Sequence, residues 1–273
     1  MLLENKIAVV YGAAGSIGET VSRAFAREGA HVFLTGNTLA PLEALAASIT
    51  DAGARAEAAQ VDALDEAAIE AHLQGVIERT GQLDVSFNAV AIPDALLVGE
   101  YLVNLELDQY LRAIDSYAKT YFLTARHAAR QMLPNHSGVI MTVGALHSRI
   151  GVPLVGGYGP AQALKESLTR SLSAELAPHG IRVVGLRPQG IDGSSTIQEA
   201  FEPRAAKTGL TWPQFQEVIA ARTHTRRMMT LDEVGNVAAF MASDLASGVT
   251  GTTINLTMGA WMTEGVGGLR RGG

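Results

Sequence analysis

The chain of 273 residues contains no cysteine. That removes disulfides, thiol nucleophiles and cysteine-held zinc or iron–sulfur centres together, so any redox chemistry has to come from a bound cofactor. Seven histidines, at positions 31, 72, 127, 136, 147, 179 and 224, are never paired at metal-ligand spacing, and no metal is expected. Positive charge is also scarce: 21 Lys and Arg against 27 Asp and Glu give a net charge of −6. Such a balance offers no field for phosphate backbones or anionic lipid, so neither nucleic acid nor a membrane is expected as a partner. No apolar run reaches the roughly 18 residues of a membrane span, and the start, MLLENKIAVVYGAAG, lacks a basic leader and a cleavage site. A cytoplasmic protein is the expectation.

What is present is enough apolar material for a sizeable core, 47% hydrophobic against 18% charged residues. Short β-rich runs at 6–11, 31–35, 54–60, 83–87, 138–143, 181–186 and 252–256 alternate with helical patterns at 17–28, 41–52, 65–80, 107–133 and 159–177. Gly29, Gly53 and Gly81 stop the first three helices, and Pro41 opens the second. This order implies one α/β domain over 1–273, a doubly wound, seven-stranded, mainly parallel sheet of Rossmann type with helices on both faces. The stretch 189–230, with Pro203, Trp212, Pro213 and Phe215, interrupts the alternation and reads as an insertion covering the carboxyl ends of the strands, a substrate lid. The end, 260–273, is glycine-rich and reads as a flexible tail.

The first strand runs through Tyr11 into Gly12-Ala13-Ala14-Gly15-Ser16-Ile17-Gly18 and then into a helix. Glycines there permit positive φ and close approach of a pyrophosphate, whose oxygens the helix start can bind. The same loop is also compatible with an ordinary tight turn.

Further stretches converge with the loop: Val61-Asp62 after the third strand, Asn88-Ala89-Val90-Ala91 after the fourth, Tyr158 before a helix, 181–183 leading to Pro188, and Thr250-Gly251-Thr252. From about 6 to 259 the chain resembles the short-chain dehydrogenase/reductases. The resemblance implies a nicotinamide dinucleotide held by Gly12, Ser16, Ile17 and Gly18, with Asp62 and Ala63 at adenine. It also implies Asn88, Ala89 and Val90 under the adjoining ribose, Pro188 and Ile191 against nicotinamide, and a homotetramer as the assembly. At the end of the second strand the segment Thr35-Gly36-Asn37-Thr38 has no carboxylate to repel a 2′-phosphate, so NADP(H) is favoured over NAD(H), although Asn37 and Thr38 could equally cap a turn.

The catalytic positions depart from the family pattern of Asn, Ser, Tyr and Lys. Tyr117 stands at the asparagine position, Ala145 at the serine and Gln162 at the lysine, and only Tyr158 is in place. Lys165 follows Tyr158 by seven residues, which is close to two helical turns and puts the two on one face. That spacing resembles the enoyl-acyl-carrier-protein reductases, a divergent branch that also has a serine in the glycine loop. On this reading Tyr158 is the general acid, Lys165 lowers its pKa and holds the ribose, and Gln162 is a neutral ribose contact. His147 and Ser148 are alternatives for the missing serine.

Two function classes stand side by side. One is an NADP(H)-dependent oxidoreductase moving a hydride to or from a carbonyl or conjugated alkene of a medium-sized apolar substrate. The other is a nucleotide-binding protein whose catalysis is lost or repurposed to a non-redox reaction.

Overall fold

The computed structural model describes residues 1–92 and 99–260. Seven parallel strands, β1 (Ile7–Tyr11), β2 (His31–Gly36), β3 (Arg55–Gln60), β4 (Val85–Asn88), β5 (Gly138–Val143), β6 (Ile181–Pro188) and β7 (Thr252–Leu256), form one sheet in the order β3-β2-β1-β4-β5-β6-β7. The expectation of a mainly parallel sheet is met by one that is parallel throughout. β1, β4 and β5 are buried along their whole length, which is why β1 reads as an unbroken apolar run rather than an alternating one.

Successive side chains leave a strand on opposite faces, and β1 divides itself accordingly. Ala8 and Val10 enter one core layer with Val21 and Phe25 of α1 (Ser16–Arg27), Leu42 and Leu45 of α2 (Leu39–Asp51) and Val234 and Ala238 of α8 (Leu231–Ala242). Ile7, Val9 and Tyr11 enter the other, with Ile69 and Leu73 of α3 (Glu66–Thr80), Tyr121 and Ala125 of α4 (Leu107–Met132) and Leu176 of α5 (Tyr158–Leu176). Among the described residues no helix is long and apolar enough to cross a membrane.

Winding outward from β1 to β3 and then resuming on the other side at β4 leaves a crevice at the carboxyl ends, where the strand order reverses. Register puts the crevice residues level. Tyr11 lies opposite both Thr35 and Asn88, Asn88 opposite Thr142, and Thr142 opposite Gly185.

The stretch 189–230 is not the irregular segment its prolines suggest. It folds into α6 (Ser195–Lys207) and α7 (Trp212–Ala221). Pro213 occupies the first turn of α7, where its missing N–H costs nothing, and Thr211 and Gln214 form a capping box in front of it. Helix α8, absent from the sequence expectation, starts with a second box, Thr230 and Glu233. The tail, apart from Ala260, lies outside the described residues, as do 93–98 of the loop between β4 and α4.

Candidate active site and dinucleotide cradle

The turn from β1 into α1 fits against the end of β4. Gly12 has φ of 74°, and a Cβ on it would come within 2.8 Å of the Ala89 carbonyl oxygen. A Cβ on Gly18 would meet the Gly12 carbonyl oxygen at 2.1 Å. Only glycine serves at either place, and no side-chain hydrogen bond caps α1 at Gly15, an arrangement into which a pyrophosphate would fit. The cradle is anchored from behind: Ala13 N–H donates to Thr35 O at 3.0 Å and Ala89 N–H to Tyr11 O at 2.9 Å.

Asn88 is buried, donating through Nδ2 to Thr124 Oγ1 at 3.0 Å while its Oδ1 accepts from Val90 N–H at 3.3 Å. That arrangement holds the segment Asn88, Ala89 and Val90 in place across the crevice floor. Asp62 is exposed and receives Leu64 N–H at 2.9 Å, with Ala63 buried beside it. Ser16 and Ile17 open α1. Asn37 is exposed, its carbonyl oxygen accepting from Gln60 Nε2 at 3.0 Å. On the opposite wall Pro188 ends β6, and buried Ile191 pairs with Met229 in an isolated bridge.

Tyr158 is the first residue of α5, half-buried, and its surroundings are aromatic. A Cβ on the preceding Gly157 would lie 2.0 Å from Tyr110 O, so the glycine lets α5 start hard against α4 and sets Tyr158 beside Tyr117. The two rings meet edge-on at 5.9 Å. His147, in the short turn after β5, is 5.4 Å from the Tyr158 ring, and Phe201 of α6 is 6.4 Å away. Ala145, at the serine position, is buried and has no hydroxyl to offer.

Gln162 lies one turn below Tyr158, buried, with its Oε1 lacking a hydrogen-bond donor among the described residues. Gln189 Oε1 is in the same condition. Buried acceptors of this kind suit the hydroxyl and amide groups of a nicotinamide riboside, so the residues present fit such a cofactor.

Lys165 is not the surface charge its residue type suggests, being only 1% exposed. Its Nζ donates to the Val143 carbonyl at the end of β5 and sits over the rings of Tyr117, at 5.2 Å, and Tyr121, at 6.0 Å. Burial lowers its pKa to about 7. Burial likewise lowers the imidazole of His147 to about 4, with the charge of Arg204 adding to the effect, so His147 is neutral at pH 7.

Beside Lys165, Glu166 anchors a buried polar network that the sequence does not announce. It accepts from Arg187 Nε at 2.6 Å, from Arg149 Nε at 2.9 Å and from Ser148 Oγ, and Arg187 also reaches Asn255. Burial alone would raise the carboxyl, yet hydrogen bonds from Arg187 and Ser148 hold it below the usual range. This network fixes the turn carrying His147 against α5. Because removing one member strands a buried charge, Arg187→Met should cost about 3–5 kcal/mol in denaturant unfolding. A loss below about 1 kcal/mol would show that the pair contributes little.

A cavity of about 270 Å³ lined by Tyr101, Leu102, Val103 and the segment from Val152 to Gly156 adjoins this region. Val152 and Val155 pack with Tyr117, Tyr158 and Phe201. Among the described residues no group of His, Asp or Glu is placed to hold a metal ion.

Comparison with known proteins agrees with this architecture. The family model described as Enoyl-(Acyl carrier protein) reductase matches residues 12–260. Galactitol 2-dehydrogenase of Agrobacterium fabrum is 30% identical over 265 residues, covering 96% of this chain and all of that one. The 3-oxoacyl-acyl-carrier-protein reductase of Salmonella typhimurium is 27% identical over 263 residues, with 96% and 100% covered. The structure of an NAD+-bound xylitol dehydrogenase superposes with a TM-score of 0.86 at 25% identity, over 95% of this chain and 100% of that one. With a glycine cradle at the switch point, a tyrosine heading α5 and relatives matched over nearly their full length, the chain belongs to the short-chain dehydrogenase/reductase family and is an oxidoreductase.

Proposed function

We propose that the protein binds NADP(H) in preference to NAD(H) and moves a hydride to or from a carbonyl or conjugated alkene of a medium-sized, largely apolar substrate. The observation that carries this reading is the position of Tyr158, at the head of α5 and one turn above Gln162 Oε1, which has no donor among the described residues. A bound nicotinamide supplies or accepts the hydride. Tyr158 Oη gives or takes the proton at the substrate oxygen or carbon, Gln162 accepts from the ribose, and the rings of Tyr117, His147 and Phe201 keep water from the reacting atoms. Lys165, whose Nζ stops at the Val143 carbonyl, acts in this reading as a positioning residue behind Tyr117 rather than as a ribose ligand. Helices α6 and α7 serve as the substrate lid. NADPH oxidation against ketones, enones and enoyl thioesters tests the reading, and turnover of none of them would favour the alternative, a nucleotide-binding protein without redox catalysis. Ala145, Tyr117 and Gln162 at three family catalytic positions are what support that alternative.

The cofactor preference follows from the exposed Asn37 and Thr38, which place no carboxylate at the ribose. Calorimetry should give NADPH a Kd no weaker than that of NADH, and a clear preference for NADH would overturn it. Gly12→Ala should weaken either cofactor by about tenfold or more, since positive φ and the Ala89 carbonyl both oppose a methyl there. The family resemblance also supports a homotetramer, which light scattering would refute with a monomeric mass.

A further inference from the structure

Arg204 lies on α6, three residues after Phe201 and therefore on the same helix face. Its guanidinium rests on the Phe215 ring at 5.4 Å, and its Nε is buried without a hydrogen-bond acceptor among the described residues. No described carboxylate makes an ion pair with it, and the charge nearest in effect is that of Arg222, which repels it. His147 Nδ1 is also buried and has no hydrogen-bond partner among the described residues. The two groups belong to one locality, because Phe201 stacks on His147 at 5.4 Å and 19° and the Arg204 charge is felt at the imidazole. A cation and a polar nitrogen that find no counter-group among the described residues, set in an aromatic pocket, constitute a site that an anion completes.

We infer that Arg204 and His147 form a carboxylate-binding subsite beside Tyr158, so that the substrate is an oxo, hydroxy or enoic acid with an apolar chain; this rests on the oxidoreductase reading of the same site. One half-buried guanidinium next to a neutral imidazole balances a single negative charge. The rings of Phe201, Phe215 and Tyr158 provide nothing for the second charge of a phosphate monoester, and Arg222 is exposed to solvent. The carboxylate end is thereby fixed on α6 and the reacting carbon on the Tyr158 side of the Phe201 ring.

The test is calorimetric titration of the whole protein with hexanoate, hexanamide and hexyl phosphate, with and without NADPH, for the wild type, Arg204→Gln and Arg204→Lys. Hexanoate should bind at least about tenfold tighter than hexanamide. Arg204→Gln should abolish that preference, and Arg204→Lys, which keeps the charge, should restore part of it at an unchanged melting temperature. Equal binding of acid and amide by the wild type, or a preference that survives Arg204→Gln, overturns the subsite, and a preference for hexyl phosphate overturns its assignment to carboxylate. Failure of the oxidoreductase reading shows separately, as absence of NADPH binding and of turnover, whereas failure of the subsite alone leaves NADPH binding and reduction of neutral ketones intact.

Discussion

Tyr158→Phe should lower turnover by about 10²–10⁴-fold, the range over which a positioned proton donor contributes. The phenyl ring keeps the edge contacts with Tyr117, His147 and Phe201, so the aromatic wall survives and only the hydroxyl is lost. The glycine turn with Gly12 and Gly18 and the segment after β4 lie on other elements, and Gln162 is left unchanged, so the calorimetric Kd of NADPH should stay within about twofold of wild type. Steady-state assays with the best substrate of the panel give the comparison, and both kcat and kcat/KM should fall together. A variant retaining about a third of wild-type turnover would move the proton source to another group, with His147 and Tyr117 first in line.

Lys165→Met has the second large expected effect, and it falls on stability. In the folded protein burial brings the amine to about 7 from an ordinary 10.5. Between those values the unfolded chain holds a proton that the folded one does not, so stability rises with pH across the window, and below about 7 the penalty of a buried ammonium is fully present. Its ceiling is on the order of 3–5 kcal/mol at about 1.4 kcal/mol per pKa unit. Loss of the hydrogen bond to Val143 offsets about 1 kcal/mol of the gain. Methionine matches the stem in length and has no charge to bury, so Lys165→Met should be more stable than wild type at pH 6, with the difference shrinking by pH 10. Denaturant unfolding at pH 6, 8 and 10 measures it, and a variant less stable than wild type at pH 6 would mean that the ammonium has compensation in the fold. If Lys165 also positions Tyr158 through Tyr117, the variant's turnover should be lower and its pH profile displaced upward.

The sheet could be read from the chain because its strands are short, the inner ones are largely apolar, and Gly29, Gly53 and Gly81 end the first three helices where φ turns positive. What escaped has physical reasons. Pro203 and Pro213 look like breakers, yet one lies within α6 and the other in the first turn of α7, and the Thr211–Gln214 and Thr230–Glu233 spacings were the signals that marked the starts of α7 and α8. Helical spacing put Tyr158 and Lys165 on one face, and both lie on α5, but the depth of Lys165 is decided by Tyr117 and Tyr121 on α4, which no local pattern reports. The Glu166–Arg187 pair likewise joins distant segments, although an arginine inside the apolar run GLRP was a visible anomaly. Arg204 stood in an ordinary polar stretch and became notable only through what it lacks in three dimensions.

The ends of the α6–α7 excursion are tied together. Met229 N–H donates to Gly190 O at 2.9 Å, Asp192 N–H to Met229 O at 2.7 Å, and His224 N–H to Met258 O at 3.0 Å. Everything between 193 and 223 therefore leaves and rejoins the scaffold at one clasp, and the closure entropy of such a loop grows only slowly with its length. An excursion of this kind is exchangeable as a cassette. Transplanting the corresponding segment of a relative should alter which acids or alcohols are accepted while the nucleotide half is unaffected, provided that Gly190 and Met229 are kept as the junctions. On the lid reading, substrate choice and cofactor choice would be separately heritable.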